Sequence, residues 1–117
     1  MTIKEVSETY GLSQDTLRYY ERVGMIPRVP RSQSGHRDYK EKDLGGVELA
    51  KCLRNAGLTV EAIVEYVRLS LEGDSTIRQR YELLKRQREE LVVQRQRMDE
   101  AIGRLEHKID VYAQKLN

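Results

Sequence analysis

The chain has 117 residues, with 21 Lys+Arg against 19 Asp+Glu, a formal net charge of +2, and 34% charged against 38% hydrophobic residues. One Cys, two His, no Trp and no Phe exclude an internal disulfide and a thiolate zinc cluster and leave little for a histidine metal site. No run approaches the ~18 apolar residues of a membrane span and no apolar signal core opens the chain; a cytoplasmic protein without a large catalytic cleft is expected, built around a long solvent-flanked helix.

The first 23 residues read as two short helices. Thr2-x-x-Glu5 is a capping box, and Ile3, Val6 and Ser7 lie on one face of the helix it opens. Tyr10-Gly11-Leu12 breaks that helix, because Gly11 can take a positive φ. Ser13 restarts the chain as an N-cap, with Leu12 and Leu17 as a hydrophobic staple. The second helix is predicted to reach Arg22 or Val23, with Gly24 as its stop. Helix, tight glycine turn, helix is the helix-turn-helix layout.

Both prolines, Pro27 and Pro30, fall between Gly24 and Gly35, so the chain from Gly24 to Tyr39 is the main non-helical region. Within it, Arg28 to Tyr39 reads as a short β-hairpin turning at Ser32-Gln33-Ser34-Gly35. A third helix is predicted from about Glu41 to Ala56, with Leu44, Val47, Leu49, Ala50 and Leu53 as apolar positions and Gly57 as its end. Thr59 caps a fourth, stapled by Leu58 and Ile63, that runs to about Leu71. Gly73 and Asp74 separate it from the last segment.

That segment carries the clearest periodicity. Ile77, Leu84, Leu91, Met98, Leu105 and Tyr112 recur every seven residues, and Tyr81, Arg88, Arg95, Ile102, Ile109 and Leu116 follow four residues behind. Taken as d and a positions, they make a coiled-coil seam with two polar a positions. A helix of ~42 residues is about 63 Å long. It cannot bury such a stripe on so small a body, so the expected partner is a second copy of itself. The dimerisation residues are therefore Ile77, Leu84, Leu91, Met98, Ile102, Leu105 and Ile109.

The nearly neutral net charge hides a local excess. Between Thr16 and Lys40 stand six cations (Arg18, Arg22, Arg28, Arg31, Arg37, Lys40) and two acids (Glu21, Asp38), with His36 among them. A basic patch of this kind is an electrostatic footprint for nucleic acid. Arg18, Tyr19, Arg37 and Tyr39 are the expected phosphate contacts. Tyr20 is an open choice, since neighbours on a helix point about 100° apart and one of the Tyr pair can face inward. Tyr10 reads as core, and Arg22 as a surface or ion-pairing residue. The start of the second helix offers Gln14, Asp15 and Thr16 to base edges.

The run Ser13-x-x-Thr16-Leu17-Arg18-Tyr19-Tyr20-Glu21-Arg22-x-Gly24-x-Ile26 resembles the recognition helix of the MerR family of bacterial transcription regulators. Ser34-Gly35-His36-Arg37-Asp38-Tyr39 resembles the family's wing, and Gly57-Leu58-Thr59-x-Glu61-x-Ile63 its third-to-fourth helix junction. Lys40 stands where the family often has a capping Ser. The resemblance implies a mainly α fold. A winged helix-turn-helix DNA-binding domain (residues 1–72) would precede a long dimerisation coiled-coil helix (residues 73–117). It further implies a homodimer on double-stranded promoter DNA, distortion of that DNA for RNA polymerase, and no cofactor.

Cys52, in Lys51-Cys52-Leu53-Arg54, has two readings. Free Cys is commonly a small buried hydrophobe, and Cys52 lies one turn from Leu49 and Ala56. The other reading is a reactive thiol. Metal-sensing members of the family resemble one another in extra cysteines near the end of the dimerisation helix, and drug-sensing members append a ligand domain; neither feature is expected here. What remains is the subgroup that senses aldehydes and other electrophiles through one cysteine, which the Lys51–Leu58 and Glu65–Leu69 stretches resemble. Thiol sensing at Cys52 is thus the expectation, and a structural Cys52 with a different, non-thiol signal the alternative. A coiled-coil scaffold with a degenerate DNA domain would need the Arg18-Tyr19-Tyr20 run to be idle. No nucleophile–base pair, phosphate loop or metal cluster suggests an enzyme.

Overall fold

The computed structural model describes residues 1–116. The elements are α1 (Ile3–Tyr10), α2 (Gln14–Val23), α3 (Glu41–Ala56), α4 (Val60–Leu71), a 3-10 turn (Asp74–Thr76) and α5 (Ile77–Lys115). They divide into two units, Met1–Leu83 and the chain from Leu84 onward. No helix is long and apolar enough to cross a membrane among the described residues.

Local chemistry sets the helix boundaries of the first unit. Thr2 Oγ1 accepts from Glu5 N–H (3.2 Å), and Glu5 Oε1 accepts from Thr2 N–H (3.0 Å), which closes the capping box of α1. The helix stops where Gly11 turns left-handed at φ 66°. Ser13 Oγ then accepts from Thr16 N–H (3.0 Å) and opens α2. Thr59 Oγ1 does the same for Ala62 N–H at α4 (3.1 Å). Lys40 cannot cap α3 with its side chain. Instead the buried Asp43 carboxylate takes Lys40 N–H (2.8 Å), which is one half of a capping box.

Val6 of α1, Leu17 and Tyr20 of α2, Met25, Ile26, Val29 and Tyr39 of the connecting segment, Val47 and Ala50 of α3, and Ile63 and Leu69 of α4 form the core. Each fully buried aliphatic side chain contributes about 1.5–3 kcal/mol. Leu58 and Ile63 are both buried, as the staple predicts. Leu49 departs from expectation: the helical period assigns it to the apolar face of α3, yet it is 42% exposed. Thr76 and Leu83 are also buried, so this unit includes the first turns of α5.

The predicted β-hairpin is reduced to a single antiparallel bridge, Arg31 to Arg37, and the described residues contain no strand. The turn forms: Gly35 N–H donates to Ser32 O (2.9 Å) and Ser32 N–H to His36 O (2.8 Å). A longer ladder is blocked chemically. Pro27 and Pro30 have no N–H to donate, and Val29 N–H is taken by the Glu21 carboxylate (3.0 Å). The wing is therefore a loop held by side chains.

In the second unit, α5 continues as helix. Of the residues expected to form the seam, Leu84, Met98, Ile102, Leu105 and Ile109 are exposed, with Met98, Leu105 and Ile109 more than 60% so, and Leu91 is half-buried. Ile77 and Tyr81, which begin the stripe in the first unit, are exposed as well.

Candidate nucleic-acid interface

The start of α1, the exposed side of α2 and the wing loop enclose an open concavity. Lys4, Arg18, Arg31 and Arg37 line it together with His36 and Asp38. Asp38 does not cancel this charge, because Lys40 Nζ already pairs with its Oδ2 (2.6 Å). That hydrogen bond holds the Asp38 carboxyl below the usual carboxylate range. What remains is a cationic surface of the kind that binds phosphate oxygens.

Three of the residues expected to meet DNA form one cluster on α2. Arg18 Nη1 donates to Asp15 Oδ1 (3.0 Å) and Arg18 Nη2 to Gln14 Oε1 (3.3 Å). Exposed pairs of this kind are worth under about 1 kcal/mol, so Arg18 can exchange them for a phosphate. Thr16 is tied to the cap, where its hydroxyl accepts from Ser13 Oγ (2.8 Å). Tyr19 is exposed, with the Arg22 guanidinium 5.4 Å from its ring centre.

The structure settles the open choice at Tyr20 and places Tyr39 differently from expectation. Tyr20 faces inward and is 6% exposed; burial pushes its hydroxyl pKa up, against the opposing charge of Arg54. Tyr39, expected as a phosphate contact on the wing, is 1% exposed, and its hydroxyl has no hydrogen-bond partner among the described residues. Its backbone explains this. Tyr39 N–H donates to Met1 O (2.8 Å), which straps the residue against the α1 end and turns the ring into the core. An unpartnered buried hydroxyl costs about 1–3 kcal/mol. Tyr39→Phe is therefore expected to be neutral or stabilising by up to about 2 kcal/mol, with DNA affinity within about twofold of the parent. Urea unfolding and a binding titration check this, and a large loss of affinity would restore Tyr39 to the interface.

Glu21 organises the wing, a role that its place in the sequence does not announce. Its Oε1 accepts from Arg37 Nε (2.6 Å) and its Oε2 from Val29 N–H (3.0 Å), so one carboxylate joins α2 to both sides of the wing loop. Glu21 is nearly buried, with 9% of its side chain exposed, and Arg37 is 21% exposed. Burial by itself would raise the Glu21 carboxyl. The hydrogen bonds from Arg37 and Val29, with the charges of Arg37 and Arg31, outweigh it and hold the group below its usual range. Arg37 pairs with Glu21 through Nε and also lines the concavity. Lys4 is the cation of the concavity that lies outside the expected patch. Glu21 stands inside the patch and the recognition-helix run, but its ties to the wing, like the place of Lys4, arise only from tertiary proximity.

Cys52 lies on α3, outside this concavity, and is exposed. It is therefore not the small buried hydrophobe of the first reading. Among the described residues, no group of His, Cys, Asp or Glu is placed to hold a metal ion.

A glycine-broken helix pair with a side-chain-anchored wing and a basic concavity beside it makes a helix-turn-helix domain. Residues 1–70 match the family described as MerR HTH family regulatory protein, and the chain belongs to that family. It is 50% identical over 92 residues to the HTH-type transcriptional regulator AdhR of Bacillus subtilis, a match covering 79% of this chain and 66% of AdhR. It is 32% identical over 111 residues to an uncharacterized HTH-type transcriptional regulator of Haemophilus influenzae, covering 95% of this chain and 82% of that protein. Among solved structures, a MerR-family protein of Listeria monocytogenes superimposes with a TM-score of 0.93 at 46% identity, covering 96% of this chain and 85% of that one. HiNmlR, a MerR family regulator lacking the sensor domain and bound to promoter DNA, gives 0.89 at 31% identity, covering 97% and 90%.

Proposed function

We propose that the protein is a homodimeric transcription regulator that binds promoter DNA through α2 and the wing and responds to thiol-reactive compounds through Cys52. The basic concavity beside the exposed side of α2 is the observation that carries the DNA reading. Lys4, Arg18, Arg31 and Arg37 neutralise phosphates, and Gln14 and Thr16 at the start of α2 reach base edges. Tyr19 adds a phenol donor at the edge of the patch. The promoter-bound form of HiNmlR supports this reading by similarity over almost the whole chain.

Residues 1–72 act as the DNA-binding part and the helix from residue 73 as the dimerisation part. The exposed stripe of α5, with Leu84, Met98, Ile102, Leu105 and Ile109, is buried by a second copy, because an apolar seam of this length is unfavourable in water. Each dimer then presents two recognition helices to a pseudo-palindromic site. As the family implies, distortion of that site sets the promoter elements for RNA polymerase.

The exposure of Cys52 supports a chemical role. A small electrophile reaches the sulfur without opening the fold. Sγ adds to the carbonyl carbon of an aldehyde, or to a ring carbon of a quinone conjugated with its carbonyl; the S–C bond forms as the π bond breaks, its electron pair goes to oxygen, and the thiol proton ends there. Such an adduct shifts transcription only if it favours one dimer geometry over another. In a promoter reporter challenged with an aldehyde or a quinone, Cys52→Ala and Cys52→Ser are expected to lose the response while binding DNA within about twofold of the parent. An intact response in both variants would assign the signal to something other than this thiol.

A further inference from the structure

Lys51, the residue before Cys52 on α3, makes a contact that neither the phosphate face nor the core explains. Its ammonium donates to the main-chain oxygen of Tyr10, 41 residues earlier. That oxygen belongs to the last turn of α1, where a helix cannot satisfy its own carbonyls. The donors of the turn are already committed: Gly11 and Leu12 N–H both go to Ser7 O (3.0 and 3.3 Å), and Ser7 Oγ goes to Leu12 O. α1 has no basic residue in its own last turn. Lys51 thus provides, from another helix, the cation that the negative end of α1 favours. Its Nζ is 3.9 Å from the point where a side chain on Gly11 would begin, so the ammonium sits on the turn itself.

We propose that Lys51 is a positioning residue for promoter recognition, fixing the turn of the helix-turn-helix, and with it the start of α2, against α3. This rests on the reading of α2 as the DNA-contacting helix. Gln14 and Thr16 follow the turn within five residues of Gly11. Base-edge hydrogen bonds are directional and fail with small displacements, whereas phosphate contacts tolerate them. Loss of the Lys51 tie therefore weakens sequence-specific binding more than non-specific binding, and removes no phosphate contact.

The test uses the full chain and two duplexes: one that the parent protein selects from a random pool, and a scrambled version of it. Lys51→Met keeps the aliphatic stem without the donor, and Lys51→Arg keeps the donor. Lys51→Met is expected to bind the selected duplex roughly ten- to a hundredfold more weakly, the fold-change of misaligned base-edge hydrogen bonds at the start of α2. Its affinity for the scrambled duplex stays within about twofold and its salt slope is unchanged. Lys51→Arg returns the selected duplex to within about threefold. The proposal is overturned if Lys51→Met binds the selected duplex like the parent, if both duplexes weaken equally, or if the salt slope drops by about one, which marks a direct phosphate contact. Should Lys51→Met not fold at the assay temperature, Lys51→Ala, a better helix former that also lacks the donor, is judged by the same criteria. If the parent enriches no duplex, the DNA reading fails and takes this inference with it; a Lys51→Met variant that matches the parent overturns the inference alone.

Discussion

Replacing Met98 and Leu105 together with aspartate is expected to leave the protein monomeric and to weaken its binding to promoter DNA at least about 100-fold. Both side chains are more than 60% exposed in the single chain and sit at d positions of the heptad stripe. In a dimer the double substitution appears twice and buries four carboxylates without partners. Each buried, unpaired charge costs several kcal/mol, far more than the remaining seam contacts recover. The DNA effect follows from geometry: one recognition helix on one half-site loses the effective concentration that linkage to its twin provides. Sedimentation equilibrium and a binding titration read the two effects separately. A variant that stays dimeric would mean that α5 is covered by something other than its own copy along this stripe.

Glu21→Ala is expected to lower the stability of the first unit by about 2–3 kcal/mol and to weaken DNA binding by release of the wing. The carboxylate serves two donors, Arg37 Nε and Val29 N–H. Removing it leaves a half-buried guanidinium and a backbone N–H without an acceptor, which costs more than the pair itself contributes. Glu21→Gln keeps the shape and one acceptor, so its loss should be smaller, about 1 kcal/mol. The same group gives the unit a pH dependence. Its folded carboxyl is held below the usual range. Its stabilisation is therefore fully present above the unfolded glutamate value of about 4.3, and is lost as the pH falls through the lower folded value. Urea unfolding from pH 7 down to pH 3 should show the parent losing more stability than Glu21→Gln across that window. Parallel losses in the two proteins would place the acid sensitivity elsewhere.

Most helix boundaries were legible in the sequence, because caps are local chemistry. Thr2 with Glu5, Ser13 and Thr59 mark starts, and Gly11, Gly24 and Gly57 mark stops, whatever the rest of the chain does. The basic patch was legible as composition. Its assembly was not, because Lys4 joins Arg18, Arg31 and Arg37 only once α1 and the wing are packed side by side. The hairpin was over-read for a related reason. Turn residues at Ser32–Gly35 specify a reversal, but whether strands pair depends on free N–H groups, and Glu21 had claimed that of Val29. Tyr39 shows the limit of assigning a face to an irregular segment. Spacing groups it with Arg37, yet a backbone bond to Met1 sends its ring inward. Leu49 departs in the opposite sense: the helical period suggests burial, yet it lies at an open groove between α3 and α4 and stays 42% exposed.

The salt dependence of binding to the selected duplex decides whether DNA phosphates bind in the α2–wing concavity. The parent should lose affinity steeply, with a log–log slope of about −0.9 per neutralised phosphate. Arg18→Ala and Arg37→Ala should each weaken binding and reduce the slope by about one. If both variants keep the affinity and the slope of the parent, the phosphates are bound elsewhere and the concavity is not the interface.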